Sequence, residues 1–420
     1  MELVRRAKSK GPRLDIIEGG QGPSEGSVSS VPAHPRDYST DLPVSGAWFP
    51  GDPVGHRRFL TITDGYPFAL EPGGHLAEVI QAYETWGTLN SDASNAVLVC
   101  HALTGDSHVI GESNAAHPTK GWWDEVIGPG KAVDTNDYFV VCINVLGGCQ
   151  GSTGPSSVDP SVGRPYGSRF PEITIRDIVR AQAKVADHLG VNRWHAVIGG
   201  SMGGMQVLEW AAMFPERVQR IAPVATALAA SSQQIAWSAV GRSALALDPR
   251  WRGGDYYDAE AGDGPYAGLA IARAVAQIHY RSDESFQERF GRALVDKDSL
   301  FGLWDRFQVE SYLDYHGEKL VRRFDANSYL VLNRAMDTHD LARGRISMEE
   351  AAQRITATVA TASISTDSLY PPHQQIEIQR LVKEAGGECS YVEIEDSNGH
   401  DGFLLAEKGI GDVFRSLLEN

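Results

Sequence analysis

The chain has 420 residues, 42% of them hydrophobic and 22% charged, which are the proportions of a globular protein with room for two or three domains. With 38 basic residues against 54 acidic ones the net charge is −16, which argues against non-specific nucleic-acid binding and leaves any anionic substrate dependent on local arginines. No run approaches the roughly 18 apolar residues of a membrane span, and the N-terminus lacks an apolar secretion signal, so a cytoplasmic location with no membrane partner is expected.

Residues 1–55 are rich in Gly, Ser and Pro and poor in apolar clusters, and read as a flexible N-terminal extension. Met1 to Arg13 is basic but too weakly patterned for a transit peptide. Trp48 and Phe49 are candidates to dock onto the body. Regular structure is expected from Phe59–Thr63, followed by a strand at Val79–Trp86; the two resemble an antiparallel edge pair. Ala96–Cys100 and Tyr138–Ile143 are continuous apolar runs of the kind buried in a parallel sheet. The first runs into His101-Ala102-Leu103-Thr104-Gly105-Asp106, the second into the Gly-rich stretch Gly147–Pro155.

Thr174 to Gly190 carries Ile175, Ile178, Val179, Ala183, Ala186 and Leu189 at helical spacing, with Thr174 as N-cap and Gly190 as stop. The run Trp194–Ile198 then leads through a glycine-rich turn into a helix beginning near Met205, and Val218–Val224 is a further strand. Between about Thr226 and Thr356 helical segments replace strands: Ser231–Leu247, Gly268–Tyr280, Ser285–Val295 and Ala326–Asp337. Strand character returns at Thr358–Ser365. A helix at His373–Ala385, a strand at Ser390–Ile394 and a last helix from about Phe403 follow. This alternation predicts an α/β fold with a mostly parallel, doubly wound sheet. The helical block is an insertion after the sixth strand, placed to cover the strand ends as a lid. The domain organisation is then 1–55 extension, 56–225 first part of the core, 226–356 lid and 357–420 second part of the core.

Gly199-Gly200-Ser201-Met202-Gly203 fits the G-x-S-x-G nucleophile elbow, in which a strand turns sharply into a helix and presents a serine. The plainer alternative is a Gly-rich turn in which Ser201 only caps the helix. A nucleophilic serine needs an acid and then a histidine later in the chain. Asp367 closes the strand Ala362–Thr366, and His400 lies between the last strand and the last helix. His400 would take the Ser201 proton, and Asp367 would fix the ring tautomer and stabilise the imidazolium. The oxyanion would be met by the backbone N–H groups of Met202 and of Leu103 in the loop after the third strand. These features reach an α/β-hydrolase fold with a Ser-Asp-His triad, and leave open whether water or another acceptor receives the acyl group.

Four scattered cysteines (Cys100, Cys142, Cys149, Cys389) make neither a disulfide framework nor a CxxC pair, and no metal is expected. Cys149, in the Gly-rich stretch, is read as a packing residue.

Several blocks in order resemble the homoserine O-acyltransferases, and among them the O-acetyltransferases. They are Cys100–His108, Gly121-Trp122-Trp123, Asn144–Ser157, Gly199–Gln206, Ile271-Ala272-Arg273, Tyr280-Arg281-Ser282, Phe324–Tyr329 and Gly399-His400-Asp401. The resemblance runs from about residue 59 to the C-terminus. It implies a ping-pong reaction in methionine biosynthesis: acetyl-CoA, as co-substrate with no further cofactor, acylates Ser201, and the γ-hydroxyl of L-homoserine then takes the acetyl group. It also implies that Arg273, Tyr280 and Asp401 hold the amino acid, and that the lid helices form a homodimer. Gly402 stands where many relatives have alanine. A guanidinium suits the α-carboxylate and a carboxylate suits the α-ammonium. Competing readings are a homoserine or serine O-succinyltransferase on the same scaffold, a carboxylesterase, or a catalytically dead scaffold.

Overall fold

The computed structural model describes residues 42–297 and 300–419. Residues 1–41 of the expected extension therefore lie outside the described residues. One eight-stranded sheet runs through the core, from β1 (Arg58–Thr61), β2 (Ile80–Trp86), β3 (Ala96–Cys100) and β4 (Phe139–Ile143) to β5 (Ala196–Gly200), β6 (Arg220–Val224), β7 (Thr358–Ile364) and β8 (Cys389–Ile394). Their spatial order is β1-β2-β4-β3-β5-β6-β7-β8. Only β2 pairs antiparallel, to β1 and to β4; every other pairing is parallel. The expected doubly wound α/β sheet is what forms.

The apolar runs are continuous because both faces of these strands are covered. All five residues of β3 and all five of β5 are buried. Side chains alternate between two cores. Leu98, Val197, Ile221 and Val359 face α1 (Ile175–Leu189) and α2 (Met202–Met213). Val97, Ile198, Ala222 and Ala360 face Phe414 and Leu417 of the last helix (Glu407–Glu419). In α1, Thr174 caps the N-terminus in a capping box with Asp177, and Gly190 at φ +75° stops the helix, as the sequence predicts.

The parallel register sets the site. Gly199 lies opposite Cys100 of β3 and Gly200 opposite Val224 of β6. The elbow, the loop that starts at His101 and the lid's first residues thus leave the sheet side by side at its carboxyl edge, where ligands bind in folds of this type.

Between β6 and β7 lie α3 (Ser232–Ala246), α4 (Tyr266–Tyr280), α5 (Asp283–Arg289), α6 (Gln308–Val321), α7 (Ala326–Asp337) and α8 (Met348–Gln353). Two departures from expectation stand out. Helix α5 ends at Arg289 rather than Val295, because Gly291 takes φ +49° and Leu294 bridges to Phe307. Helix α6 is not legible in the sequence, where Gly317 interrupts a stretch of aromatic and polar residues. That glycine is a packing requirement: a Cβ there would lie 2.9 Å from Cβ and 3.1 Å from O of Ala270 in α4.

Residues 42–49, assigned to the extension, pack against the body. The Ser45 hydroxyl donates to Asp325 at 2.8 Å, and the Trp48 N–H donates to the Cys149 carbonyl at 2.9 Å. The Trp48 ring stacks on Phe59 with centroids 4.8 Å apart, the docking anticipated for it. Cys100, Cys142, Cys149 and Cys389 are buried free thiols. Among the described residues no helix is long and apolar enough to cross a membrane.

Candidate active site

At the end of β5 the chain reverses through Ser201, whose φ of +59° and ψ of −125° place a non-glycine residue in a sparsely allowed region. The surroundings hold it there: its N–H donates to the Val224 carbonyl at 3.0 Å, and its own carbonyl accepts from the Thr226 hydroxyl at 2.9 Å. The flanking glycines are required by close approach. A Cβ on Gly203 would sit 2.1 Å from the Cys100 carbonyl oxygen, and one on Gly199 would sit 2.7 Å from the same atom. The Ser201 side chain makes no capping hydrogen bond to α2, which removes the reading of a simple helix cap.

The Ser201 hydroxyl instead lies 2.9 Å from Nε2 of His400, and Nδ1 of His400 lies 2.7 Å from Oδ2 of Asp367. Asp367 sits three residues past the end of β7 and is 3% exposed. Its second oxygen accepts the backbone N–H groups of Leu369 and Tyr370, both at 2.8 Å, so the whole carboxylate is committed. His400, 2% exposed, is carried on a turn over Gly399–Asp401. Gly399 has φ +66°, and a Cβ there would meet the Tyr280 carbonyl at 2.8 Å, so the lid closes directly on the histidine turn. A serine hydroxyl, an imidazole and a buried carboxylate in line can abstract the serine proton and stabilise the imidazolium that results.

Of the two expected oxyanion donors, Met202 follows Ser201 directly and Leu103 lies in the loop after β3. Met202 is the first residue of α2, where the backbone N–H has no partner within the helix. Leu103 is buried and borders a cavity of about 30 Å³ with Trp237, Tyr280, Tyr329 and Tyr370.

The three residues expected to hold the amino acid come from two elements, the lid helix α4 and the His400 turn. Arg273 and Tyr280 are both on α4, with the guanidinium 5.5 Å from the ring centroid. The Tyr280 ring lies 5.6 Å from the His400 ring. Asp401 follows His400 and feels Arg273 electrostatically. Burial raises its carboxyl above the usual aspartate range, opposed by Arg281 and Arg273. Arg273 makes no ion pair with a carboxylate among the described residues.

Two neighbours were not assigned from the sequence. Arg281 places Nε 3.1 Å from Asp401 and donates through Nη1 to Asn398 at 2.7 Å. Tyr370 stacks obliquely 5.0 Å from His400, and the Ser201 side chain neighbours its hydroxyl. Arg281 lies in the Tyr280-Arg281-Ser282 block, whereas nothing local in Ser368–Pro372 marks Tyr370.

A separate buried cluster joins Glu84, His108 and His117 beneath the His101 loop. Glu84 accepts from the Ser107 hydroxyl at 2.8 Å and lies 3.3 Å from Nδ1 of His108. The two imidazoles stack 3.8 Å apart with planes only 8° from parallel. Their in-plane lone pairs therefore run side by side and do not converge on one ion. Glu84 fastens residues 107 and 108.

A family model described as the alpha/beta hydrolase fold matches residues 95–407. The homoserine O-acetyltransferase of Thermobifida fusca (strain YX) is 53% identical over 384 residues, 91% of this chain and 99% of that protein. Among solved structures, the crystal structure of homoserine O-acetyltransferase from Bacillus anthracis superposes with a TM-score of 0.80 at 29% identity, covering 87% of this chain and 97% of the other. Esterase E22 superposes with a TM-score of 0.78 at 27% identity, covering 86% and 99%. The fold is thus shared by esterases and acyltransferases, while the close sequence relatives carry one name. The chain belongs to the homoserine O-acetyltransferase family of the α/β-hydrolase superfamily.

Proposed function

We propose that this protein transfers an acetyl group from acetyl-CoA to the γ-hydroxyl of L-homoserine, a step of methionine biosynthesis, through an acyl-Ser201 intermediate. The observation that carries the reading is the convergence of Arg273, Tyr280 and Asp401 on the Ser201-His400-Asp367 line. An esterase needs only the line; an amino-acid acceptor also needs a cation for its carboxylate and an anion for its ammonium.

In the first half-reaction His400 Nε2 takes the Ser201 proton as Oγ attacks the thioester carbon. The C–S bond then breaks, and the proton goes to the departing thiolate. In the second, His400 takes the γ-hydroxyl proton of homoserine, the new C–O bond forms, and the bond to Ser201 breaks with return of the proton to Oγ. Each half passes through an oxyanion aimed at the N–H groups of Leu103 and Met202, and each such donor lowers the barrier by about 3 kcal/mol. This chemistry uses acetyl-CoA as co-substrate and calls for no further cofactor.

An acetyl rather than a succinyl donor is supported by the name that the sequence relatives share. Val240, Ile271, Ile278 and Tyr315 are exposed on α3, α4 and α6, a face that a second copy would cover in a homodimer. Light scattering measures that state, and fractionation tests the cytoplasmic location.

Acetyl-CoA and succinyl-CoA, each offered with homoserine, serine or water and followed by CoA release, test the reaction. Fast release is expected only with acetyl-CoA and homoserine; equal release with water would make the protein an esterase. Ser201→Ala should abolish transfer in a folded protein, and residual turnover would remove Ser201 from the mechanism.

A further inference from the structure

The peptide between Ala102 and Leu103 carries, at one end, the N–H assigned to the oxyanion. Like every described peptide it is trans. Its C=O and N–H are therefore coplanar and point in opposite directions, so whatever holds the Ala102 oxygen aims the Leu103 hydrogen. Two donors hold that oxygen: Gly105 N–H at 2.9 Å and Nδ1 of the His101 imidazole at 2.8 Å.

The His101 ring is itself locked. It is 1% exposed, and burial lowers its pKa, so it carries a single ring proton. Nε2 accepts the Val145 N–H at 3.0 Å, which places the proton on Nδ1, the atom that faces the Ala102 carbonyl. Both neighbours are backbone groups with fixed roles, and only one tautomer satisfies them. The His101 backbone is tied to the elbow as well. Nε2 of Gln206, on α2, donates to the carbonyls of His101 at 3.1 Å and of Met202 at 3.2 Å. Oε1 of Gln206 accepts from Gln182 at 2.7 Å, which fixes the orientation of its amide.

We propose that His101 is a positioning residue for acyl transfer: its Nδ1–H aims the Leu103 N–H at the oxyanion, through a tautomer set by Val145, with Gln206 clamping loop and elbow at one spacing. The inference rests on the reading of Leu103 as an oxyanion donor. His101 touches no substrate and moves no proton. Its contribution is pre-organisation, which acts on the transition state of both half-reactions and not on the binding of either substrate.

Two substitutions separate the two ends of the ring. His101→Asn keeps a nitrogen donor where Nδ1 lies and gives up the acceptor for Val145. His101→Gln keeps an acceptor near Nε2 and gives up the donor to Ala102. The expected result is a kcat lowered roughly 10- to 100-fold by His101→Gln, with both KM values within about twofold of wild type, and a loss under about fivefold for His101→Asn. The acylation burst with p-nitrophenyl acetate should fall in parallel with kcat. Equal losses in the two variants, or a His101→Gln enzyme with full kcat, would overturn the proposal.

The wild-type protein offers a second check if the variants fold poorly. Nitrogen NMR of histidine-labelled enzyme should show a His101 resonance pair of the Nδ1–H form, and an Nε2–H tautomer contradicts the assignment. Loss of transfer in Ser201→Ala together with full activity in His101→Gln sinks this inference alone. Retained transfer in Ser201→Ala sinks the site reading beneath it.

Discussion

Nε of Arg281 lies 3.1 Å from Oδ2 of Asp401, and the two residues each follow a partner in a second contact, Tyr280 against His400 with ring centroids 5.6 Å apart. The lid and the catalytic turn therefore meet through two consecutive pairs. The same contact engages one oxygen of the Asp401 carboxylate, and the proposed role of Asp401 assigns the other to the incoming ammonium. Arg281 also answers a cost, because burial alone would favour the neutral carboxyl.

If Asp401 holds the ammonium as proposed, homoserine binding should depend on pH. Its pKa is raised in the folded protein, so on acidification it gains its proton sooner than an ordinary aspartate. The charged form that attracts the ammonium is present at higher pH and lost as pH falls through the raised value. The KM for homoserine should rise toward acid, approaching about tenfold per pH unit once Asp401 is mostly protonated, while the KM for acetyl-CoA stays flat. In Arg281→Met the rise should begin at higher pH. Paired KM profiles measure this, and a flat homoserine profile would remove Asp401 from ammonium binding.

Asp367→Asn leaves a side chain of the same shape that cannot hold the His400 tautomer. A kcat loss of about 10³- to 10⁴-fold is expected with little change in either KM. A loss below tenfold would show that the Leu369 and Tyr370 N–H contacts are the main role of this carboxylate.

Arg273→Ala should raise the homoserine KM by about 10- to 100-fold, the worth of a charge-assisted hydrogen bond to a carboxylate. The acetyl-CoA KM should stay within about twofold. Arg273→Lys should recover only part of the loss, since an ammonium lacks the planar fork. Equal rises for both substrates would contradict an acceptor role.

Glu209, on α2 and fully buried, lies 2.9 Å from Nε of Arg176 and 3.1 Å from Nη2 of Arg345. Removing it leaves the mostly buried Arg345 without a carboxylate and Arg176 with Glu71 alone. Glu209→Ala should cost about 3–5 kcal/mol of stability and lower the melting temperature by roughly 5 °C, with kcat per folded molecule unchanged. An unaltered melting curve would mean that water or other groups replace the carboxylate.

Much of this protein could be read along the chain, because its signals are local. A buried parallel strand needs an unbroken apolar run, and an elbow needs glycines on either side of its serine. Chain order alone then singled out Asp367 and His400 among many acids and thirteen histidines. Helix α6 escaped because its stability comes from contact with α4 across Gly317 rather than from its own residues. Arg281 and Tyr370 escaped because their roles arise from elements brought together by the closing lid. His101 lies in the Cys100–His108 block, yet its proposed role depends on the Val145 N–H, 44 positions away, fixing which nitrogen holds the proton. Sequence by itself determined the fold and singled out the candidate reacting groups, which follow from periodicity and order. Tertiary structure alone decided tautomers, charge states and aim, which depend on distances of a few ångström between residues remote in the chain.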